Sequence, residues 1–244
     1  MKLTDLKTLI SGKRAGSYSN NQLDQLRYKF KGATEIRKNY AQAYQDMFVL
    51  SMLNGKKNGT FLEIGAFEAV FISNTYLLES EFSWKGISVD VEASAEESFR
   101  KKGRTSQFIL QDALTIDYEK VFKQNGFGRQ IDYLQLDIEP QAQTLRCLKK
   151  VPLDKYRFSV ITYETDYCDP TVNRRESKKN RDESRKVLSS YGYEMIVGNI
   201  CNTSRDDPFE DWYVDPKVID KKIIKLFKAS PEYNNTAENY MLAV

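Results

Sequence analysis

The sequence contains no histidine among its 244 residues. That absence excludes nucleophile systems of the Ser-His-Asp or Cys-His kind, zinc sites built on imidazole, and imidazole general bases. Any proton transfer must therefore use carboxylates, tyrosine or lysine. The three cysteines, Cys147, Cys168 and Cys201, lie far apart and form no C-x-x-C pair, so they predict neither a disulfide framework nor a zinc site.

Long apolar runs and a strong net charge are also absent. No stretch approaches the roughly 18 residues of a membrane span, and no apolar leader opens the chain, which predicts a soluble, cytoplasmic protein. Lys and Arg number 37 against 34 Asp and Glu, without a basic stripe interleaved with aromatics, so nucleic acid is not an expected partner. The 41% of hydrophobic residues suffices for one sizeable domain.

Glycine is sparse where the chain is most informative. The apolar run TFLEI ends in a Gly65-Ala66 turn, and a second run, WKGISVD, ends in Asp90. This is the strand–turn–helix–strand–acid order of a nucleoside-binding half, with Asp90 placed for ribose hydroxyls. A dinucleotide fingerprint needs three glycines, and only Gly65 is present, which disfavours an NAD-dependent enzyme.

The charges around this turn predict which nucleoside would bind. The surrounding residues are acidic and would repel a pyrophosphate; they are Glu63, Glu68, Asp90, Glu92 and Asp112. S-adenosylmethionine (SAM) has no phosphate and carries two cationic groups, so it suits these surroundings. We expect its carboxylate on the free N–H groups of a helix that begins near Phe71. The alternative is an ordinary α/β unit whose acids are solvated strand ends.

Strand and helix patterns alternate from residue 60 onward. Continuous apolar strands between helices predict a mostly parallel sheet covered on both faces. The predicted strands are 60–65, 86–90, 106–110, 131–138, 157–164 and 193–199. The predicted helices are 71–81, 93–103, 117–125, 141–149, 177–191 and one around 216–228. The predicted domains are an N-terminal helical extension over 1–58, a main domain over 59–228 and a C-terminal tail over 229–244.

Acidic residues follow the predicted strands, where the carboxyl ends of parallel strands form ligand sites. Period-two spacing places Asp137 with Glu139, and Glu164 with Asp166, on one side of an extended chain. Together they could accept a proton from a substrate hydroxyl, or hold a cation such as magnesium that lowers the pKa of that hydroxyl. The alternative is that individual acids cap helices or pair with Lys and Arg. Asp112 could likewise contact an adenine amino group beside the N–H of Ala113, or cap the next helix.

Several motifs in this order resemble the FkbM family of SAM-dependent methyltransferases, from about Tyr40 to about Pro216. The matching segments are YAQAYQDMFVLSML (40–53), GTFLEIGAFEAVFISNTYLLE (59–79), WKGISVD (84–90), IDYLQLDIEP (131–140), YRFSVITYETDY (156–167), ESRKVLSSYGYEMIV (183–197) and PFEDWYVDP (208–216). The resemblance implies a class I methyltransferase fold, Rossmann-like, with a mostly parallel seven-stranded sheet whose last strand is antiparallel. It also implies methyl transfer to a hydroxyl, in many relatives that of a sugar.

Two departures from the family pattern are visible. Glu68-Ala69 stands where Asp-Gly is common, and Thr165 stands where a histidine usually follows the Glu. The predicted catalytic residues are Asp137, Glu139, Glu164 and Asp166. The predicted cofactor-binding residues are Glu63, Gly65, Ala66, Asn74, Asp90, Val91, Asp112, Ala113 and Asp137. The sequence thus predicts a SAM-dependent O-methyltransferase acting on a small-molecule or glycan acceptor; a non-catalytic SAM- or sugar-binding module in glycan assembly is the alternative.

Overall fold

A computed structural model describes residues 25–165, 167, 174–201, 208–229 and 235–242. Apolar runs form its strands, and amphipathic segments between them form its helices. The strands are β1 (Thr60–Ile64), β2 (Lys85–Asp90), β3 (Gln107–Leu110), β4 (Gln130–Leu136), β5 (Arg157–Glu164), β6 (Glu194–Cys201), β7 (Pro208–Val214) and β8 (Asn235–Thr236). The helices are α1 (Gln45–Met52), α2 (Tyr76–Phe82), α3 (Ala93–Lys101), α4 (Tyr118–Gln124), α5 (Gln141–Leu148), α6 (Arg174–Ser190), α7 (Lys221–Phe227) and α8 (Ala237–Met241).

All eight strands belong to one sheet in the order β3-β2-β1-β4-β5-β7-β6-β8. β7 is antiparallel to both of its neighbours, β5 and β6, and the other strand pairs are parallel. The predicted sheet of seven strands, mostly parallel and with the last one antiparallel, is therefore confirmed. The two-residue strand β8 extends it by pairing with the end of β6.

Successive side chains along each strand point to opposite faces of the sheet, and this divides the core into two layers. On one face, Phe61, Tyr133 and Trp212 pack with residues of α1, α2, α7 and α8, and Trp212 stacks on Phe48 of α1 with ring centroids 4.5 Å apart. On the other face, residues such as Leu62 pack with α4, α5 and α6. The two covered faces explain why the central strands read as continuous apolar runs rather than as alternating ones.

The segment after β1 differs from its prediction. A helix was expected from about Phe71, but α2 begins at Tyr76, and residues 66–75 form an irregular loop with Phe67 and Ile72 at positive φ of 39° and 54°. The cause is a long-range contact, because the Arg104 side chain donates to the carbonyl of Ala69 at 2.6 Å and fixes the loop away from helical geometry.

The expected anion site on this helix is therefore wrong in position. The N–H of Tyr76 already donates to Ser73 Oγ at 3.1 Å, so the first turn of α2 is capped by the loop itself. One of the N–H groups in the first turn of α2 is therefore already satisfied by the loop.

Both ends of the described chain join the same core layer. In the described part of 1–58, helix is limited to α1 and one 3₁₀ turn at Ala33–Glu35, while Leu26 and Phe30 are buried. The C-terminal tail expected from 229 contributes β8 and α8, with Tyr240 and Met241 buried. No helix in the described ranges has the length and apolar character to cross a membrane.

Candidate active site

The sheet order brings the carboxyl ends of five adjacent parallel strands, β3-β2-β1-β4-β5, to one edge. An acidic residue lies at or just after the end of four of these strands, and the turn at Gly65 follows the fifth, β1. These residues are Asp112, Asp90, Gly65, Asp137 and Glu164. In open α/β sheets this edge is where ligands bind, so these residues remain the candidates for the site.

Gly65 is required by a close approach between two strand ends. Its φ is 87°, and a Cβ added there would lie 1.6 Å from the carbonyl oxygen of Asp137. The N–H of Asp137 in turn donates to the carbonyl of Ile64 at 3.0 Å. Ala66 is buried, and its N–H donates to the carbonyl of Val89 at 3.1 Å. The single glycine therefore lets the turn close tightly against β2 and β4.

Asp90 lies at the end of β2 with its carboxylate aimed at the turn. Its Oδ2 accepts the N–H of Phe67 and its Oδ1 accepts the N–H of Glu92, each at 2.9 Å. The side chain is half-buried, and each carboxylate oxygen keeps a lone pair for a further donor. Val91, the next residue, is 62% exposed and offers an apolar surface beside that carboxylate.

Asp112 follows β3 and caps a short 3₁₀ turn. Its Oδ1 accepts the N–H of Leu114 at 2.8 Å, and Ala113 is buried. The helix-capping role that the sequence allowed is thus present, since the same carboxylate satisfies an otherwise free N–H. Asp112 itself is exposed, so its second oxygen remains open to a ligand.

Glu63 lies in the interior beneath the turn and not at the rim, which corrects its expected position among the rim acids. It is 2% exposed, and its two oxygens accept the hydroxyls of Thr75 at 2.9 Å and Ser88 at 2.8 Å. Burial raises the pKa of Glu63, although Arg104 and the two hydroxyls oppose that shift. Its contribution is therefore to fix the loop after β1 onto the sheet.

Two buried amide oxygens lie around Glu63 without a donor. Asn74, next to Thr75, is 8% exposed and its Oδ1 has no hydrogen-bond partner. Gln135 pairs with Glu63 in the β1–β4 register, is 2% exposed, and its Oε1 is also without a partner. Buried acceptors of this kind are rare and call for a missing donor. Gln135 was missed by the sequence analysis, although a Gln within an apolar strand was a usable signal.

The four predicted catalytic acids are only partly brought together. β4 and β5 do pair, with Leu136 opposite Tyr163, so Asp137 and Glu164 follow paired residues. β4 ends at Leu136, so Asp137 and Glu139 lie beyond the strand on which their common side was predicted. Asp137 is half-buried and Glu139 is exposed. Asp166 lies outside the described residues.

Glu210 on β7 is a further acid at this edge, and the sequence analysis did not single it out. It lies directly opposite Glu164 in the antiparallel β5–β7 pair, so the two side chains share a face. Its Oε2 accepts from Gln45 Nε2 at 2.9 Å and from Trp212 Nε1 at 2.6 Å. Burial raises the pKa of Glu210 to about 7. An acid inside the apolar stretch PFEDWYV was the signal that could have found it.

The structure also bears on two further expectations. One concerns Thr165, which stands where the family pattern usually has a histidine, and the other concerns a bound magnesium ion. Thr165 is fully buried at the end of β5, and its N–H donates to the carbonyl of Phe209 at 2.5 Å. Within the described part of the chain, no group of three or more Asp, Glu or Cys side chains is arranged to hold a metal ion.

Comparisons with known proteins show the fold. No protein-family model matches the chain, and no curated protein matches its sequence. The structure is similar to a candidate rRNA methylase from Clostridium thermocellum, with a TM-score of 0.52 and 11% identity, over 73% of this chain and 97% of that one. It is also similar to the methyltransferase PaMTH1 from Podospora anserina, solved with S-adenosylhomocysteine (SAH), with a TM-score of 0.51 and 12% identity, over 86% of this chain and 94% of that one.

Together with the strand order and the antiparallel β7, these likenesses identify a class I, Rossmann-like SAM methyltransferase fold. At such identities the likeness concerns the fold alone. The finer resemblance to the FkbM family stays a prediction from the motifs.

Proposed function

We propose that this protein is a SAM-dependent O-methyltransferase that acts on a hydroxyl of a carbohydrate or a similar polyhydroxylated acceptor. The observation that carries the proposal is the line of acids along the carboxyl edge of a methyltransferase sheet, beside a turn with one glycine. Negative charge at this edge suits a cofactor that carries a sulfonium and an ammonium and no phosphate.

The residues around the turn fit SAM. Asp90 would accept the ribose hydroxyls, and the exposed Val91 would lie against the adenine, whose amino group Asp112 would accept. The unpartnered oxygens of Asn74 and Gln135 would receive the ammonium, which has three N–H donors to give. An anionic group without N–H or O–H donors could not satisfy these two oxygens.

When bound, SAM supplies an electrophilic methyl group on a sulfonium. The protein's own contribution is first to place the acceptor oxygen in line with the breaking bond, and positioning of this kind can be worth about 7–11 kcal/mol. Glu164 and Asp137, at the ends of adjacent strands, would orient the hydroxyl and receive its proton. Because a carboxylate is roughly ten pK units less basic than an alkoxide, that proton must move late, as the new C–O bond forms.

The direct test measures cofactor binding before turnover. Isothermal titration calorimetry should show saturable binding of SAH and no binding of NAD at millimolar concentration. Transfer of a labelled methyl group to a pooled extract of cell-surface glycans should follow. Absence of heat and of thermal stabilisation with both SAM and SAH would remove the proposal.

Asp90 provides the sharpest residue-level prediction. Asp90→Ala should weaken SAH binding at least roughly tenfold, about 1.4 kcal/mol, because a charge-assisted hydrogen bond to the ribose is lost. Asp90→Asn should weaken SAH binding less, since the asparagine carbonyl can still accept the N–H of Phe67 and keep the turn in place. Asp220→Ala, which removes an exposed helix cap far along the chain, is the matched control. Unchanged affinity in both Asp90 variants would move the ribose contact to Glu92.

The second candidate is a binding module that does not catalyse. It is motivated by Thr165, a buried threonine where the family pattern usually has a histidine. In that case SAH or a sugar would bind, but no label would reach any acceptor in the glycan pool. Loss of methyl transfer in Glu164→Gln, with SAH affinity retained, would instead support catalysis by the carboxylates.

A further inference from the structure

A cleft of about 230 Å³ is lined by residues other than the strand-end acids. Three segments form it: residues 38–40 before α1, residues 68–72 in the loop after β1, and Lys102 at the end of α3. None of Asp90, Asp112, Asp137 and Glu164 lines it. It shares only the loop 66–75 with the site described above.

An unsatisfied carboxamide lies in the wall of this cleft. Asn39 is 1% exposed, and neither its Oδ1 nor its Nδ2 has a hydrogen-bond partner. A buried amide that makes no hydrogen bond is strongly disfavoured, so the Asn39 carboxamide is a candidate contact for a group in the cleft. The amide offers one acceptor and two donors side by side.

The backbone next to Asn39 is held in place by hydrogen bonds to Asp46. Asp46 Oδ2 accepts the N–H of Tyr40 at 2.8 Å and that of Ala41 at 3.2 Å. Ala41 also forms a parallel bridge with Ile72 of the opposite wall. The bridge between Ala41 and Ile72 therefore joins the two walls of the cleft.

The rim of the cleft is positive. Lys38 and Lys102 are exposed, and neither forms an ion pair with any residue in the described ranges. The acid in the lining, Glu68, accepts the hydroxyl of Ser98 at 3.2 Å. The Lys38 ammonium lies 5.2 Å from the centroid of the Tyr40 ring. Among the side chains that line the cleft, two lysines outnumber one carboxylate, and this favours an anionic group.

The remaining wall is apolar and partly open. Phe71 is 46% exposed, an unusual exposure for a large aromatic ring in a concave site, and Val70 and Ile72 continue the surface. Flat ring faces suit the C–H face of a sugar. The volume is below the roughly 300–1,000 Å³ of sites for drug-sized ligands, which favours one ring over a chain of rings.

We propose that this cleft binds a single acidic sugar, meaning a polyhydroxylated ring that carries a phosphate or a carboxylate. The Asn39 carboxamide takes adjacent hydroxyls, Lys38 and Lys102 take the anionic group, and Phe71 covers the ring face. The proposal concerns binding and does not depend on methyl transfer at the other site.

The test uses calorimetry on the whole protein with four probes: glucose 6-phosphate, glucuronate, glucose and inorganic phosphate. The first two separate the phosphate and carboxylate forms of the ligand. We expect at least one acidic sugar to bind at least tenfold more tightly than both glucose and inorganic phosphate. Binding should weaken as salt is added, because the lysines are exposed. The proposal is overturned if neither glucose 6-phosphate nor glucuronate binds more tightly than both glucose and inorganic phosphate.

Variants distinguish a binding role from a structural one. Asn39→Leu should weaken the binding of the acidic sugar at least tenfold. It should also raise the melting temperature, because it removes an unsatisfied buried amide at similar volume. Lys38→Gln and Lys102→Gln should each weaken the binding of the acidic sugar several-fold and leave the affinity for glucose unchanged. Lys101→Gln, one residue away and outside the lining, is the control and should change neither affinity. The affinity for SAH should stay constant in all four variants. A failure of the sugar-binding proposal can therefore be told apart from a failure of the cofactor site. Unchanged sugar affinity in Asn39→Leu would refute the assignment.

Discussion

Arg104→Met should lower the free energy of unfolding by about 3–5 kcal/mol, the range typical of breaking a buried ion pair from one side. The Arg104 side chain is 1% exposed and its Nε donates to Glu79 Oε2 at 2.9 Å. Its other nitrogens donate to the carbonyl of Ala69 at 2.6 Å and to Thr75 Oγ1 at 2.8 Å. Methionine would fill the space but leave the Glu79 carboxylate buried without its cation.

Urea denaturation followed by far-UV circular dichroism measures this effect. Arg100→Met, an exposed arginine on α3, is the matched control and should stay within about 0.5 kcal/mol of the parent. Arg104→Lys should fall between the two, because an ammonium cannot reproduce the fork of a guanidinium. If Arg104→Met and Arg100→Met unfold at the same urea concentration, the hydrogen bonds of Arg104 do not hold the loop 66–75 in place.

The same substitution should reach the cofactor site. The loop 66–75 carries Asn74 and the Phe67 N–H that binds Asp90, and Arg104 fixes its conformation. Arg104→Met should therefore also weaken SAH binding under conditions where the variant is fully folded, whereas Arg100→Met should not.

Glu210→Gln should make the protein more stable at pH 8 and remove much of the pH dependence of its stability. Burial raises the pKa of Glu210 to about 7, against about 4.3 for an unperturbed glutamate. Between those values the folded state holds a proton that the unfolded state releases, so stability falls as the pH rises from about 4 to about 7. Gln is neutral throughout and its carbonyl can accept from Gln45 and Trp212 as Glu210 does.

The expected gain at pH 8 is about 3–4 kcal/mol, the size of a pKa shift from about 4.3 to about 7. Urea unfolding at pH 5, 6, 7 and 8 measures it, with the exposed Glu96→Gln as the control. A weaker slope of the same sign should remain, because burial also raises the pKa of Asp46 to about 6. Parallel stability curves for the parent and Glu210→Gln would contradict the prediction.

Much of the sheet was predictable because its signals are local. Six of the strands lie within about two residues of their predicted ends, since a run such as TFLEI is buried on both faces and bounded by turn residues. The seventh, β7, came from the resemblance alone, because PFEDWYV mixes acids with aromatics. The helix expected from Phe71 failed because its helical spacing was overridden by Arg104, whose contacts lie 25 to 35 residues away in the sequence.

The sequence by itself determined the class of the sheet and the row of acids at its carboxyl edge, because alternating apolar runs and the residues that end them depend on neighbours along the chain. Only the tertiary structure decided which charges are buried and what they meet. Glu63 lies in the interior under Thr75 and Ser88, and Glu210 lies opposite Glu164 because β7 inserts between β5 and β6. The free energy of a buried charge depends on partners brought together by folding, and no local pattern contains them.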